Sequence, residues 1–234
     1  MQEPSRHEIW KMFDQISPTY DRINRLMTGG WDRQWRKKMA HFLPKQPHIA
    51  LLDCATGTGD QILALIDHID TAIGIDLSTE MLSCAQRKID QRKLGETVSF
   101  QVASGMALPF SAHHFDCVTI SFGIRNMSDV PLALREAYRV LKPQGRLLIL
   151  EGSLPENRFL RPLCLFYLRH VLPHLGRILS NNSHAYRYLN QTIETFPYGK
   201  RFCSLLENAG FIHVNAHPQL FGAATIYEGV KDAP

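Results

Sequence analysis

The sequence contains no run of about 18 uncharged apolar residues, and its amino terminus lacks the apolar segment of a signal peptide. We therefore expect no transmembrane helix and a cytoplasmic protein. Internal repeats and low-complexity tracts are also absent. The remaining composition, 234 residues of which 44% are hydrophobic and 21% charged, is typical of a globular domain with a well-filled core.

Two further shortages exclude classes of site and partner. The five cysteines are scattered and form no Cys-x-x-Cys pair, so we expect free thiols in a reducing compartment. No cluster of His, Cys and Asp has the spacing of metal ligands, so we expect no metal. The net charge of +4 is too small to indicate a nucleic-acid partner, although it suits an anionic membrane surface.

The most informative stretch lies between residues 51 and 60 and predicts a strand, a tight loop and the start of a helix. An apolar run ends at Asp53, and Gly57 and Gly59 then allow a sharp turn and the close approach of a ligand. A second acid, Asp76, follows about 20 residues later, at the end of another apolar run. An acid at this spacing commonly binds the ribose hydroxyls of an adenosine.

The same loop lacks the features that bind phosphates. No Gly-Lys-Ser/Thr follows it, and Ile62 replaces the third glycine of a dinucleotide-binding pattern. Asp60 adds negative charge at the start of the helix, where a pyrophosphate would lie. An adenosine cofactor without phosphates is therefore favoured. S-adenosylmethionine fits, because its sulfonium is cationic, and Asp53 or Asp60 could lie near its ammonium group.

Strand and helix patterns alternate from residue 49 to about 150, which predicts an α/β fold with a doubly wound, mostly parallel sheet. We expect a single domain over residues 1–234. Residues 1–45 are predicted to form an N-terminal helical cap, and residues 155–198 a helical insertion before the last strands.

Local patterns predict where several elements begin and end. Ser78 is a predicted N-cap. The segment 142–145, Lys-Pro-Gln-Gly, is typical of the end of a helix. Residues 211–214 and 223–227 predict a hairpin of two edge strands.

Two segments have alternative interpretations. The basic, aromatic segment 31–42 is either a surface helix docked by its tryptophans or a contact with a membrane interface. The insertion, with its prolines and arginines, is either a substrate lid or lipid-facing element, or an extra packing layer over the sheet.

Later motifs are more specific than the glycine loop. They are Phe122-Gly123-Ile124-Arg125-Asn126 and Tyr186-Arg187-Tyr188-Leu189, and the segment 133–147 matches the same family. With these motifs the chain resembles the ubiquinone/menaquinone biosynthesis C-methyltransferases, from Met12 to Lys231. The resemblance implies a Rossmann-like class I methyltransferase that uses S-adenosylmethionine.

The resemblance also implies a reaction. A methyl group would be added to a ring carbon of a reduced prenylated quinone, with demethylmenaquinol as the expected substrate. A ubiquinol precursor, another small phenol or lipid, and a non-catalytic cofactor-binding scaffold are the alternatives. Peripheral contact with the inner membrane face and a homodimer are further expectations. The cofactor contacts would be made by Thr58, Asp76, Ser104, Gly105 and Ser121, together with Asp53, Gly57 and Gly59 of the loop.

The chemistry requires help with loss of a phenolic proton, since a phenol has a pKa of about 10. Arg125 is expected to stabilise the phenolate, and Asn126 to orient the hydroxyl. An acid or a water must accept the proton, and Tyr20, Asp21 or Asp60 could organise that water. The catalytic candidates are therefore Arg125, Asn126 and Tyr20.

Two of these roles have open alternatives. Arg125 could instead be a solvated loop residue or form a salt bridge with Asp129. His184, Tyr186 and Arg187 either line the substrate or pack within a helix.

Overall fold

A seven-stranded sheet lies at the centre of the structure, a computed structural model that describes residues 9–172 and 191–233. The strands are β1 (Ala50–Cys54), β2 (Thr71–Asp76), β3 (Val98–Val102), β4 (Phe115–Ser121), β5 (Leu141–Gly152), β6 (Phe211–Gln219) and β7 (Ala224–Lys231). Their order is β3-β2-β1-β4-β5-β7-β6. Strands β1 to β5 are parallel, and β6 and β7 are antiparallel to their neighbours. The predicted doubly wound, mostly parallel sheet is confirmed.

Helices flank the sheet on both faces. They are α1 (Ile9–Ile16), α2 (Tyr20–Met27), α3 (Trp31–Lys38), α4 (Asp60–Leu65), α5 (Thr79–Gln91), α6 (Val130–Val140), α7 (Leu160–Phe166) and α8 (Lys200–Asn208). Helix α3 continues as a 3₁₀ turn over Met39–Phe42, and α7 as a π-helical segment over Tyr167–Val171. Residues 191–195 are also helical. No helix in the two described ranges is long and apolar enough to cross a bilayer.

The core has two layers because successive side chains of a strand point to opposite faces of the sheet. In β5, Leu147 and Ile149 belong to the apolar cluster that includes residues of α6 and α8. Leu148 and Leu150 belong to the cluster on the other face, with residues of α3, α4 and α5. Strand β1 lies between β2 and β4, so the chain leaves the middle of the sheet in both directions. Open α/β sheets bind ligands at such a switch point, outside the carboxyl ends of the strands.

The sequence-based prediction for the last two strands was wrong in one respect. They do form an antiparallel hairpin, but only β6 lies at the edge of the sheet. Strand β7 lies between β5 and β6 and pairs with β5 from Arg146 to Gly152. Because β7 has a neighbouring strand on each side, almost all of its side chains are buried. An edge strand, with one neighbour, would not need to bury so many.

The segment from Lys142 to Gly145 follows the end of α6 at Val140, as predicted, but it already belongs to β5. The register with β4 shifts here, between Phe115 and Cys117. Gln144 has a φ of 63°, and a Cβ on Gly145 would lie 2.8 Å from the Lys142 carbonyl oxygen. These residues therefore follow the end of the helix and make an irregularity within a continuous strand.

Helix α3 docks through part of its aromatic face. Trp35 and Met39 are buried, whereas Trp31 is 40% exposed. Arg36 is buried, with its guanidinium carbon 5.3 Å from the centre of the Phe122 ring. This arrangement favours the surface helix docked by a tryptophan over a helix lying in a membrane interface.

Candidate active site

A first cavity of about 400 Å³ lies at the carboxyl ends of the parallel strands. Its wall contains five of the residues predicted to bind a cofactor, namely Gly57, Asp76, Ser104, Gly105 and Ser121. They come from the loops or ends that follow β1, β2, β3 and β4. The structure therefore brings together residues that are widely separated in the sequence, at the place where such folds hold ligands.

Asp76 is the acid in this wall, and backbone groups hold its carboxylate in place. The N–H of Gly57 donates to Asp76 Oδ2 and the N–H of Ser78 to Oδ1, both at 2.9 Å. Burial raises the pKa of Asp76 above its usual range, although these two hydrogen bonds act in the opposite direction. Ser78 in turn caps α5 as predicted, because its hydroxyl accepts the N–H of Met81.

Three other predicted cofactor residues lie behind the wall. Asp53 is only 1% exposed, and its carboxylate accepts the hydroxyls of Thr56 and Thr119, both at 2.6 Å. The Thr58 hydroxyl donates to Asp21 at 2.6 Å. Gly59 has a φ of 77° and a Cβ there would lie 3.3 Å from Ala85. In this structure these residues shape the loop that surrounds the cavity.

The charge of the first cavity agrees with the absence of a phosphate-binding motif. Its described wall includes Asp76 and no lysine or arginine. A phosphate would therefore meet a carboxylate without a compensating cation, whereas a cationic ligand would be attracted. Helix α1 closes the cavity with the apolar side chains of Ile9, Trp10 and Phe13. The wall thus favours a ligand with positive charge over one with phosphate groups.

A second cavity, of about 460 Å³, adjoins the first and is mostly apolar. Helices α2, α3 and α7 contribute to its wall, together with residues that follow β4 and β5. Tyr20 and Phe122 line both cavities. Among the described residues that line the second cavity, only Asp32 and Arg125 have side chains of a normally charged type. Two ligands could therefore meet across Tyr20 and Phe122, one in each cavity.

Arg125 forms a buried ion pair with Glu151, the residue near the end of β5. Its Nη1 donates to Glu151 Oε1 and also to the carbonyl oxygen of Phe122, the latter at 2.9 Å. Glu151 is 1% exposed and also accepts the N–H of Gly152 at 2.8 Å. The alternative salt bridge to Asp129 is wrong, because that carboxylate caps α6 by accepting the N–H of Leu132.

Polar atoms beside this ion pair are left without partners. Arg125 Nε and Asn126 Oδ1 are buried, and no group in the described part of the chain bonds to them. Asn126 faces the first cavity and Arg125 the second. A buried polar atom without a partner is costly, so both atoms are suited to contact a bound ligand.

Of the three residues expected to organise a water, Tyr20 lines the second cavity and the two acids do not. Tyr20 stands between the cavities, and burial raises the pKa of its hydroxyl. Asp21 and Asp60 instead form ion pairs with Lys88, each with 2.6 Å between carboxylate oxygen and Nζ. These pairs join α2 and α4 to α5 and leave neither acid in the wall of the second cavity. His184, Tyr186 and Arg187 lie outside the described residues.

Sequence reasoning missed Glu151 and Asp32. Glu151 was visible only as an acid at the end of an apolar strand, the position that Asp53 and Asp76 also occupy. Asp32 was hidden in a segment dominated by tryptophans and basic residues. No three His, Cys, Asp or Glu side chains come together as a metal site in the ranges that the structure covers.

Sequence comparisons identify the family. Residues 1–231 match the ubiE/COQ5 methyltransferase family. The chain belongs to this family. A demethylmenaquinone methyltransferase of Lactiplantibacillus plantarum is 36% identical over 230 residues, 97% of each chain. A ubiquinone/menaquinone biosynthesis C-methyltransferase, UbiE, of Syntrophotalea carbinolica is 41% identical over 225 residues, 95% of this chain and 94% of the relative.

Solved structures share the fold of this ubiE/COQ5 family member. A SAM-dependent methyltransferase of Thermotoga maritima aligns with a TM-score of 0.65 and 18% identity, covering 96% of this chain and 100% of its own. The [4+2]-cyclase SpnF aligns with a TM-score of 0.61 and 18% identity, covering 100% of this chain and 99% of its own. Because a cyclase has the same fold, the fold alone does not determine the reaction.

The buried Asp53 should make stability depend on pH. Burial raises its pKa to about 6, against the two threonine hydrogen bonds. The folded state then binds this proton more tightly than the unfolded state, so the stability that it contributes is present below about pH 4 and falls as the pH rises through about 6. We expect Asp53→Asn to gain roughly 2–3 kcal/mol relative to the wild type between about pH 4 and pH 7.5. Urea unfolding of both proteins without ligand measures this difference, and a constant difference would contradict the assignment.

Proposed function

We propose that this ubiE/COQ5 family member transfers a methyl group from S-adenosylmethionine to a ring carbon of a reduced prenylated quinone, with demethylmenaquinol as the substrate. The observation that carries the proposal is the pair of adjoining cavities. One has an acid and no described cation, and the other is apolar with an arginine in its wall. The names of the two relatives point to the same reaction and leave a benzoquinol precursor as the second substrate to test.

The first cavity would hold the methyl donor. Asp76 is placed to accept the ribose hydroxyls, because its carboxylate is fixed by two N–H groups in the cavity wall. Ser104 and Gly105 would contact the adenine. A Cβ on Gly105 would lie 2.9 Å from Met127 Cε, so a side chain there would crowd the cavity. S-adenosylmethionine supplies an electrophilic methyl group when bound.

The second cavity would hold the quinol ring and the first part of its prenyl chain. Its apolar wall favours burial of such a molecule over contact with water. Arg125 would donate from its unpartnered Nε to the phenolic oxygen, where negative charge develops. Asn126 and Tyr20 would hold the ring carbon in line with the methyl group, since correct geometry alone can contribute several powers of ten to the rate.

The reaction is tested by transfer of radiolabelled methyl groups to reduced quinones with short prenyl tails. We expect methylation of demethylmenaquinol and slower reaction of the benzoquinol. Arg125→Lys keeps a cation beside Glu151 but loses the planar set of donors, so kcat should fall about 10- to 100-fold. The dissociation constant of S-adenosylhomocysteine should stay unchanged.

Arg139→Lys is the matched control for this test, because Arg139 pairs with Glu136 on α6 outside both cavities. This control should turn over at the wild-type rate. Normal turnover in Arg125→Lys would remove Arg125 from the mechanism. Binding of S-adenosylhomocysteine without methylation of any quinol would instead favour the non-catalytic scaffold.

The role of Asp76 is tested by binding. Asp76→Asn should weaken binding of S-adenosylhomocysteine about 10- to 100-fold, because hydrogen bonds to a charged acceptor contribute about 1.5–3 kcal/mol. Asp70→Asn is the control, since this exposed acid precedes β2 and bonds to His48 at 2.8 Å. Isothermal titration calorimetry measures both. Equal affinity of Asp76→Asn and the wild type would rule out the ribose contact.

We also propose that the mouth of the second cavity docks on an anionic membrane. Helix α7 and the residue that precedes it present three exposed apolar side chains at helical spacing. They are Phe159, Leu163 and Phe166, which are 73%, 65% and 57% exposed. Leu26 and Leu220, which line the cavity, are 48% and 39% exposed. The exposed Arg158 and Arg161 lie beside this apolar surface. A membrane interface suits this combination, and a prenylated quinol is dissolved in the bilayer.

Vesicle flotation tests the docking surface. The triple variant Phe159→Ser, Leu163→Ser, Phe166→Ser should lose most binding to vesicles that contain phosphatidylglycerol, while methylation of a short-tailed quinol persists. Val102→Ser is the control, because Val102 is 54% exposed but lies on β3 at the far side of the sheet. Undiminished flotation of the triple variant would refute the surface. The homodimer stays a prediction.

A further inference from the structure

The wall of the second cavity contains a buried carboxylate that the sequence analysis did not single out. Asp32 lies in the first turn of α3 and is only 2% exposed. The Thr28 hydroxyl is 3.0 Å from Asp32 Oδ1. Within the described part of the molecule, no lysine or arginine lies within salt-bridge distance of this carboxylate. A buried acid that faces an apolar cavity without a cation is costly unless it serves a ligand.

The other ionisable groups of this wall are poor proton acceptors. Burial raises the pKa of Tyr20, Tyr167 and Cys164, so all three stay protonated at neutral pH. Arg125 is a cation engaged by Glu151. Glu151 and Arg36 lie behind the wall rather than in it. Among the described residues of this wall, Asp32 is therefore the remaining candidate to accept a proton from a ligand.

The position of Asp32 in the helix supports its negative charge. The first turn of α3 presents N–H groups without helical partners, and this end of the helix dipole favours an anion. The backbone N–H of Asp32 also contacts the Thr28 hydroxyl, at 3.4 Å, which fixes the turn that precedes the carboxylate. The acid is thus held in the cavity wall by the chain itself, before any ligand binds.

We propose that Asp32 is a catalytic residue that accepts the phenolic proton of the quinol while Arg125 stabilises the oxygen. This inference rests on the proposed function and names the proton acceptor for that reaction. It replaces the water that Tyr20, Asp21 or Asp60 was expected to organise. Asp32 and Arg125 both line the second cavity, so a quinol bound there would meet a carboxyl group and a guanidinium in the same wall.

The O–H bond of the quinol breaks and its proton passes to Asp32, while a ring carbon forms a bond to the methyl group and the bond between sulfur and methyl breaks. The ring carbon then loses its own hydrogen to water as a proton, and the oxygen regains the proton held by Asp32. The products are methylated quinol, S-adenosylhomocysteine and one proton in solution.

The pH dependence of turnover tests this role. Asp32→Asn should lower kcat about 100-fold or more at neutral pH, since a positioned base contributes about 10²- to 10⁴-fold. The rate of the variant should then rise with pH towards the phenol pKa of about 10, because a phenolate needs no base. Asp32→Glu should retain the wild-type pH profile with a lower kcat. This second variant also covers the case in which Asp32→Asn does not fold.

A binding measurement provides a readout independent of activity. Wild-type protein with S-adenosylhomocysteine should bind 1-naphthol at least about 10-fold more tightly than 1-methoxynaphthalene, which has no hydroxyl to donate. Asp32→Asn should lose most of this preference. Asp116→Asn is the control, because it removes a buried carboxylate that bonds to Lys142 away from both cavities. Its pH profile and naphthol preference should match the wild type.

Two outcomes separate this inference from the proposed function. If the wild type methylates a quinol and Asp32→Asn keeps its kcat and pH profile, the role of Asp32 is wrong and the proposed function stands. If the wild type methylates no quinol in the panel, the proposed function fails. A naphthol preference that is lost in Asp32→Asn would then still identify Asp32 as the residue that recognises a hydroxyl in this cavity.

Discussion

The buried ion pair between Arg125 and Glu151 fixes the polarity of the site. Removing two charges from water costs several kcal/mol per ion, and losing one partner of such a pair typically costs about 3–5 kcal/mol. Part of this cost is offset because Glu151 lies near the end of the central strand β5 and also accepts the N–H of Gly152. The cation is thereby placed in an apolar wall without freedom to move to solvent. In such apolar surroundings, a positive charge interacts strongly with the negative charge that a ligand acquires during reaction.

The N-terminal helices complete both cavities, and charged contacts tie them to the rest of the domain. Lys88 on α5 pairs with Asp21 of α2 and with Asp60 of α4. Asp14 of α1 accepts the Ser78 hydroxyl and the N–H of Glu80 at the start of α5. Helices α1 and α2 therefore meet the sheet through α5, the helix that follows Asp76. Their position is coupled to the geometry of the first cavity.

The sheet and the first cavity were predictable because their signals are local in the sequence. Apolar runs that end in Asp53 and Asp76 mark adjacent parallel strands, and the glycine loop marks the turn between strand and helix. The partner of Arg125 and the burial of Asp32 in the wall of the second cavity were not predictable. Both depend on which distant segments pack together. In addition, the segment that contains Asp32 is rich in tryptophan and arginine, and these residues determined its interpretation. The interior position of β7 was missed for the same reason, since strand order is not a local property.

Phe122 stands between the two cavities with a φ of 58°, in the left-handed region that a bulky residue rarely occupies. Such a conformation costs on the order of 1–3 kcal/mol. Trp35 lies beside the ring at 6.4 Å between centroids, and Arg36 stacks on it. The position of the Phe122 ring between the two cavities is thus fixed by the backbone of the folded chain. A methyl donor and a methyl acceptor would then be held at a separation that the folded protein already fixes. Neither molecule would lose binding free energy in creating that separation.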